Sequence, residues 1–139
     1  GSHGVEITAD ITEAEVTTDD MELVLLPGGM PGTLNLEKSP IVQASLVYCV
    51  REGKYIAAIC AAPSILGHRG DLEGKEAICF PGFEGQLRGA RISSSPVCVD
   101  GKIITGKGPG VTIEFALQIV EQLSGKALAE RIRAGMQCR

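Results

Sequence analysis

The stretch Tyr55-Ile56-Ala57-Ala58-Ile59-Cys60-Ala61-Ala62-Pro63 decides the fold class. Its opening apolar run reads as a strand buried on both faces, the mark of a parallel sheet. The run passes without a break into Cys60, and Pro63 suits the first turn of a helix, where its missing N–H costs nothing. That short helix reaches Leu66 and closes at Gly67 or Gly70. A strand feeding directly into a helix is the unit from which doubly wound sheets are built.

Working outward, Leu23-Val24-Leu25-Leu26 is a second fully apolar run, ended by Pro27-Gly28-Gly29. Ser39-Pro40 reads as a helix start, with Ser at the N-cap and Pro behind it. The helix from Ile41 to Arg51 places Val42, Leu46, Cys49 and Val50 on one stripe, and Gly53 ends it. Gly4 to Thr8 and Ala77 to Phe80 are expected to be further strands. Val97-Cys98-Val99 and Ile103-Ile104-Thr105 flank Asp100-Gly101, a strong hairpin signal. After Gly108-Pro109-Gly110 comes a helix whose inner face should carry Ile113, Ala116, Leu117, Val120 and Leu123, and a last amphipathic helix runs from about Ala127 to Ala134. Strands alternating with helices predict a single α/β domain over residues 1–139, a flavodoxin-like three-layer sandwich with a mostly parallel sheet.

Composition narrows the function classes. The 139 residues are 44% hydrophobic, 22% charged and 4% aromatic, with a net charge of −4. An acidic chain poor in aromatics offers neither the basic face nor the stacking platform that nucleic acid requires. No apolar stretch approaches the roughly 20 residues that span a bilayer. The five cysteines are odd in number, form no CxxC pair, and have only two histidines to work with. Reduced thiols are therefore expected, with neither a disulfide framework nor a zinc site. The acidic residues between Asp10 and Glu22 read as a solvated face.

In doubly wound sheets ligands bind at the carboxyl ends of the strands, where loops enter helices. Gly28-Gly29 and Cys60-Ala61-Ala62-Pro63 both fall there. A cysteine between a strand and a helix start meets free backbone N–H groups and the positive end of the helix dipole, both of which favour an anion. The small residues Ala61 and Ala62 leave room for a substrate, and their amides can hold an oxyanion. The plain alternative is that Cys60 is one more buried thiol, as Cys49, Cys79 and Cys98 read, since free cysteine is among the most buried residue types. Gly28-Gly29 and Gly108-Pro109-Gly110 have their own plain alternatives, a turn after a strand and a helix entry. His68 stands beyond the short helix, out of reach of Cys60 by helical spacing, and reads as a surface residue.

Ala57-Ala58-Ile59-Cys60-Ala61-Ala62-Pro63, together with Leu26-Pro27-Gly28-Gly29 and Thr105-Gly106-Lys107-Gly108-Pro109-Gly110 followed by Glu114-Phe115-Ala116, resembles the ThiJ/PfpI superfamily and most closely its Parkinson disease protein 7 branch. The likeness runs from Gly4 to about Arg133. It implies that Cys60 is the reactive cysteine, that the amides of Gly28, Gly29 and Ala61 face the site, and that Pro63, Gly108 and Pro109 line the pocket. It implies a cytoplasmic homodimer without cofactor or metal, acting on a small aldehyde, with no nucleic-acid or membrane partner.

The chain also departs from the family pattern. The family opens with a strand, a helix and a second strand whose first loop carries a Glu bonded to the reactive thiol, and no residue here takes its place. The chain is therefore expected to be incomplete at its N-terminal side relative to the family, with the unit supplied by a separate polypeptide or the sheet edge covered by a partner subunit. Ala61 follows the cysteine where the protease-like branch has His, which disfavours peptidase activity. Phe80 stands where the human-type branch has a His above the cysteine.

Two functions follow from the resemblance. The first is a glyoxalase III or deglycase-type enzyme acting on methylglyoxal, glyoxal and early glycation adducts. The second is a redox-sensing, chaperone-like stress-response protein that uses the same cysteine.

Overall fold

A computed structural model describes residues 1 and 3–138. Its central sheet has four strands in the order β1 (Leu23–Leu26), β2 (Tyr55–Ile59), β6 (Ile103–Gly106), β5 (Val97–Asp100). Leu23 pairs with Tyr55 and Ile56 with Ile103 in parallel register, while Asp100 faces Ile103 across an antiparallel hairpin turned by Gly101-Lys102. The sheet is mostly parallel, as the apolar runs imply. A short second sheet pairs β3 (Glu76–Ala77) with β4 (Arg91–Ile92).

Side-chain alternation along β2 sorts the core into two layers. Ile56 and Ala58 point to one face, where they pack with Leu26, Leu46, Ile65 and Leu66. Ala57, and with it Tyr55 and Ile59, points to the other, where Ile104, Phe115 and Ile119 lie. The first layer is roofed by α2 (Pro40–Glu52) and α3 (Pro63–Arg69), with α1 (Gly32–Lys38) beside α2. The second is roofed by α4 (Thr112–Ser124), against which α5 (Lys126–Gly135) packs. Helices on both faces of a mostly parallel sheet make the flavodoxin-like sandwich.

The caps follow the local chemistry. The Ser39 hydroxyl accepts from the Val42 amide at 3.5 Å, Pro40 opens α2, and Gly53 closes it at φ 63. Gly70 closes α3 at φ 82.

Four expectations need correction. Gly4 to Thr8 forms no strand, and Val5 and Ile7 are exposed: among the described residues no neighbour supplies a ladder. Of Ala77 to Phe80 only Ala77 belongs to a strand. Beyond it the Ile78 amide donates to the buried Thr105 hydroxyl (3.0 Å) and the Phe80 amide to the Cys60 carbonyl (2.8 Å), so this segment is bonded residue by residue. Val50 is exposed, because α2 buries only Ser45, Leu46 and Cys49. On α4 the buried residues are Phe115, Leu117 and Ile119, while Ile113, Ala116 and Leu123 are exposed. The buried residues of α4 do not follow a single apolar stripe, because α5 packs on one part of the helix and the sheet on another. The helix α1 was not anticipated: Gly32 and Asn35 weaken its signal.

β1 and β2 pair directly, so the open position expected near them lies on the far side of β1. Among the described residues that edge has no strand beside it, and Leu25 is 46% exposed.

Candidate functional site

Cys60 closes β2 in the left-handed region, at φ 66. A side chain with a Cβ pays about 1–2 kcal/mol for that conformation and keeps it only where neighbours enforce it. Two backbone bonds do so: the Cys60 amide donates to the Gly106 carbonyl at 2.9 Å, and the Cys60 carbonyl accepts from the Phe80 amide at 2.8 Å. The chain is thus clamped between the end of β6 and the segment before Pro81.

The β1 loop presses against this bend. A Cβ placed on Gly28 would stand 2.6 Å from the Cys60 Cβ and 2.7 Å from the Ile59 carbonyl oxygen, so only glycine fits there. Gly29 follows at φ 93, and its carbonyl accepts from both the amide (2.8 Å) and the hydroxyl (2.9 Å) of buried Thr33. Among the described residues the amides of Gly28, Gly29 and Ala61 have no hydrogen-bond acceptor, so three N–H donors remain on the loop and the bend around Cys60.

Cys60 opens into a cavity of about 480 Å³. Gly28, Gly29 and Pro109 line it, as do Leu25, Ile59, Thr112, Phe115 and Ile119, which the sequence reading did not place there. The periodicity of α4 could have pointed to Phe115 and Ile119, spaced four apart, but nothing in the sequence marks Leu25 as wall rather than core. Ala61 is buried immediately behind Cys60, with its nitrogen 3.0 Å from the Gly28 Cβ position. Two expected pocket residues lie elsewhere. Pro63 is fully buried at the start of α3 and does not line the cavity. Gly108 lines a neighbouring cleft, beneath the Phe80 ring. No carboxylate or imidazole lines the Cys60 cavity among the described residues; its one hydroxyl, on Thr112, donates to the Pro109 carbonyl at 2.8 Å.

The other thiols differ in setting. Cys49, Cys79 and Cys98 are buried, and burial pushes all three up. Cys79 goes furthest, to about 11, with the Glu84 carboxylate and Cys60 adding to the burial effect. Cys60 alone is a partly exposed thiol held by regular structure, since Cys138 sits past the end of α5. His68 stays away from the cavity: its Nδ1 meets Glu37 Oε1 at 2.6 Å, joining α3 to α1.

Fold and bend together define a class, the flavodoxin-like α/β proteins in which a cysteine ends a central strand in a left-handed turn. The chain belongs to the DJ-1/PfpI family, whose model matches residues 1–122. It is 39% identical over 132 residues to Protein DJ-1 homolog B of Arabidopsis thaliana, covering 94% of this chain and 30% of that protein. It is 32% identical over 124 residues to the protein named glutathione-independent glyoxalase DJR-1.2 of Caenorhabditis elegans, covering 88% and 66%. The crystal structure of Drosophila melanogaster DJ-1beta superposes with a TM-score of 0.91 at 35% identity, over 99% of this chain and 75% of that one. The chain thus spans about a third of the length of its Arabidopsis relative. No helix among the described residues is long and apolar enough to cross a membrane.

Proposed function

We propose that Cys60 is the nucleophile of a glyoxalase III or deglycase-type reaction on methylglyoxal, glyoxal and early glycation adducts. The thiolate adds to the aldehyde carbon, the carbonyl electron pair moves to oxygen, and the amides of Gly28, Gly29 and Ala61 receive that oxyanion. Proton transfer between the two substrate carbons and hydrolysis then release a 2-hydroxy acid, lactate from methylglyoxal, and return the thiol. The observation that carries the reading is the strained Cys60 at φ 66, opening into a cavity beside three amides without acceptors. Strain of this kind persists where a site uses it.

One observation favours the second reading, a redox-responsive stress protein. Among the described residues the cavity lining supplies a nucleophile and no carboxylate or imidazole to shuttle the proton. A thiol so placed needs no such shuttle to be oxidised by two equivalents of hydrogen peroxide to the sulfinic acid, each peroxide being reduced to water. In either reading β1 acquires a cover, from a strand–helix–strand polypeptide or from the second subunit of a homodimer, and the support is its bare apolar edge at Leu25.

Lactate release separates the two. The 139-residue chain is expected to convert methylglyoxal slowly, and Cys60→Ser to abolish even that. Turnover as fast as a full-length relative would overturn the claim of a missing shuttle. No lactate at all, with Cys60 taken to the sulfinic acid by dilute peroxide, would replace the enzyme reading with the sensor.

A further inference from the structure

Next to the Cys60 cavity lies a smaller cleft of about 290 Å³, walled by Phe80, Pro81, Pro109 and Val111, with Gly108 at its floor and Lys107 at its rim. Pro109 borders both spaces, so they are neighbours across a single residue. The Phe80 ring lies against Gly108, where an added Cβ would stand 3.2 Å from its Cδ2, and 43% of the residue remains exposed. One side of the ring is therefore packed and the rest is open. The ring is also rooted at the nucleophile, because the Phe80 amide donates to the Cys60 carbonyl at 2.8 Å.

Such a surface selects by shape and apolar area. An aromatic ring, two prolines and a valine offer dispersion and a dry contact, and among the described lining residues Lys107 carries the only polar side chain. Glyoxal has nothing to put there, and the methyl of methylglyoxal is small beside the cleft.

We propose that the Phe80 cleft is a subsite for an aromatic substituent on the carbonyl compound that meets Cys60, which makes aryl-substituted 2-oxoaldehydes the preferred substrate class. The proposal rests on Cys60 as the nucleophile, and it does not need turnover to be tested. An alkylating reagent that forms the S–C bond and expels iodide reports on the subsite alone.

The test compares iodoacetamide with N-benzyl-iodoacetamide on the native 139-residue chain, with labelling at Cys60 read by peptide mass spectrometry and normalised to the urea-unfolded chain. The benzyl reagent is expected to be favoured about tenfold in the native chain, the discrimination a small apolar group supplies in a fitted pocket. Phe80→Ala should remove that preference, and Phe80→Leu, which keeps apolar bulk if the alanine variant misfolds, should retain part of it. A native ratio equal to the unfolded ratio, or one that Phe80→Ala leaves in place, would overturn the subsite. In a parallel assay Phe80→Ala should raise KM for phenylglyoxal relative to methylglyoxal. Neither aldehyde turning over while the labelling preference holds would sink the glyoxalase reading and leave the subsite standing.

Discussion

The Phe80 amide donates to the Cys60 carbonyl at 2.8 Å, and with the Gly106 carbonyl on the other side of the peptide it fixes Cys60 in a left-handed bend. Those bonds offset a conformation that a Cβ disfavours and that glycine adopts freely. Cys60→Gly is therefore expected to be more stable than Cys60→Ala by about 1 kcal/mol in urea denaturation. Equal stabilities would mean that the bend stores no strain.

The same bend sets the order of thiol reactivity. Limiting iodoacetamide should label Cys60 ahead of Cys49, Cys79 and Cys98, whose sulfurs are buried and held protonated. Cys138, beyond the last helix, is left out of the comparison. Faster labelling of Cys49 or Cys79 would remove Cys60 from the centre of the site.

Gly28 is the tightest contact around the nucleophile. Gly28→Ala would set a methyl 2.6 Å from the Cys60 Cβ, against backbone that cannot easily retreat. Overpacking of this kind costs about 1–3 kcal/mol. The variant should lose stability in that range, and Cys60 labelling should change with it. A variant that keeps wild-type stability and wild-type labelling would show that the loop has room to yield.

The buried thiols also predict an alkaline limit. Burial first, then Glu84 and Cys60, hold the Cys79 thiol at about 11, against 9.0 for an ordinary cysteine. The native state keeps a proton that the unfolded chain gives up, so this contribution is complete below about pH 9 and is lost as pH rises through about 11. Its ceiling is about 2–3 kcal/mol. Cys79→Ala should flatten the fall of the urea midpoint between pH 9 and 11, whatever it does to stability at neutral pH. An unchanged slope would assign the alkaline loss to other groups.

Much of this was readable in the residues, for identifiable reasons. Leu23–Leu26 and Tyr55–Ile59 are apolar on both faces, and only a sheet covered on both sides asks for that. Ser39-Pro40 and Asp100-Gly101 carry their geometry in their own chemistry: the helix starts at Pro40 behind the Ser39 cap, and the hairpin forms, though its turn falls one residue later, at Gly101-Lys102. The misassigned segments depend on distant partners. Val5 and Ile7 alternate like a strand, but a strand needs a neighbour. Ile78 and Phe80 are bonded to Thr105 and Cys60, contacts that no local pattern encodes. The position of Cys60 between strand and helix is legible, and the four-residue spacing of Phe115 and Ile119 offers a signal for one wall, while Leu25 carries none, since an apolar side chain looks the same whether it faces a core or a cavity.

The β5–β6 hairpin has a consequence for how the site comes into being. Its strands are joined by two residues, whereas β1–β2 and β2–β6 unite segments far apart in the chain. Short loops close sooner than long ones. The hairpin is thus the first surface on which β2 can land, and β2 in turn is the surface for β1. Gly106, whose carbonyl holds the Cys60 amide, is the last residue of that hairpin. The nucleophile therefore takes its shape late in folding, from a template encoded about a third of the chain downstream, and any fluctuation that unzips the hairpin end would let Cys60 relax into an ordinary, unstrained cysteine.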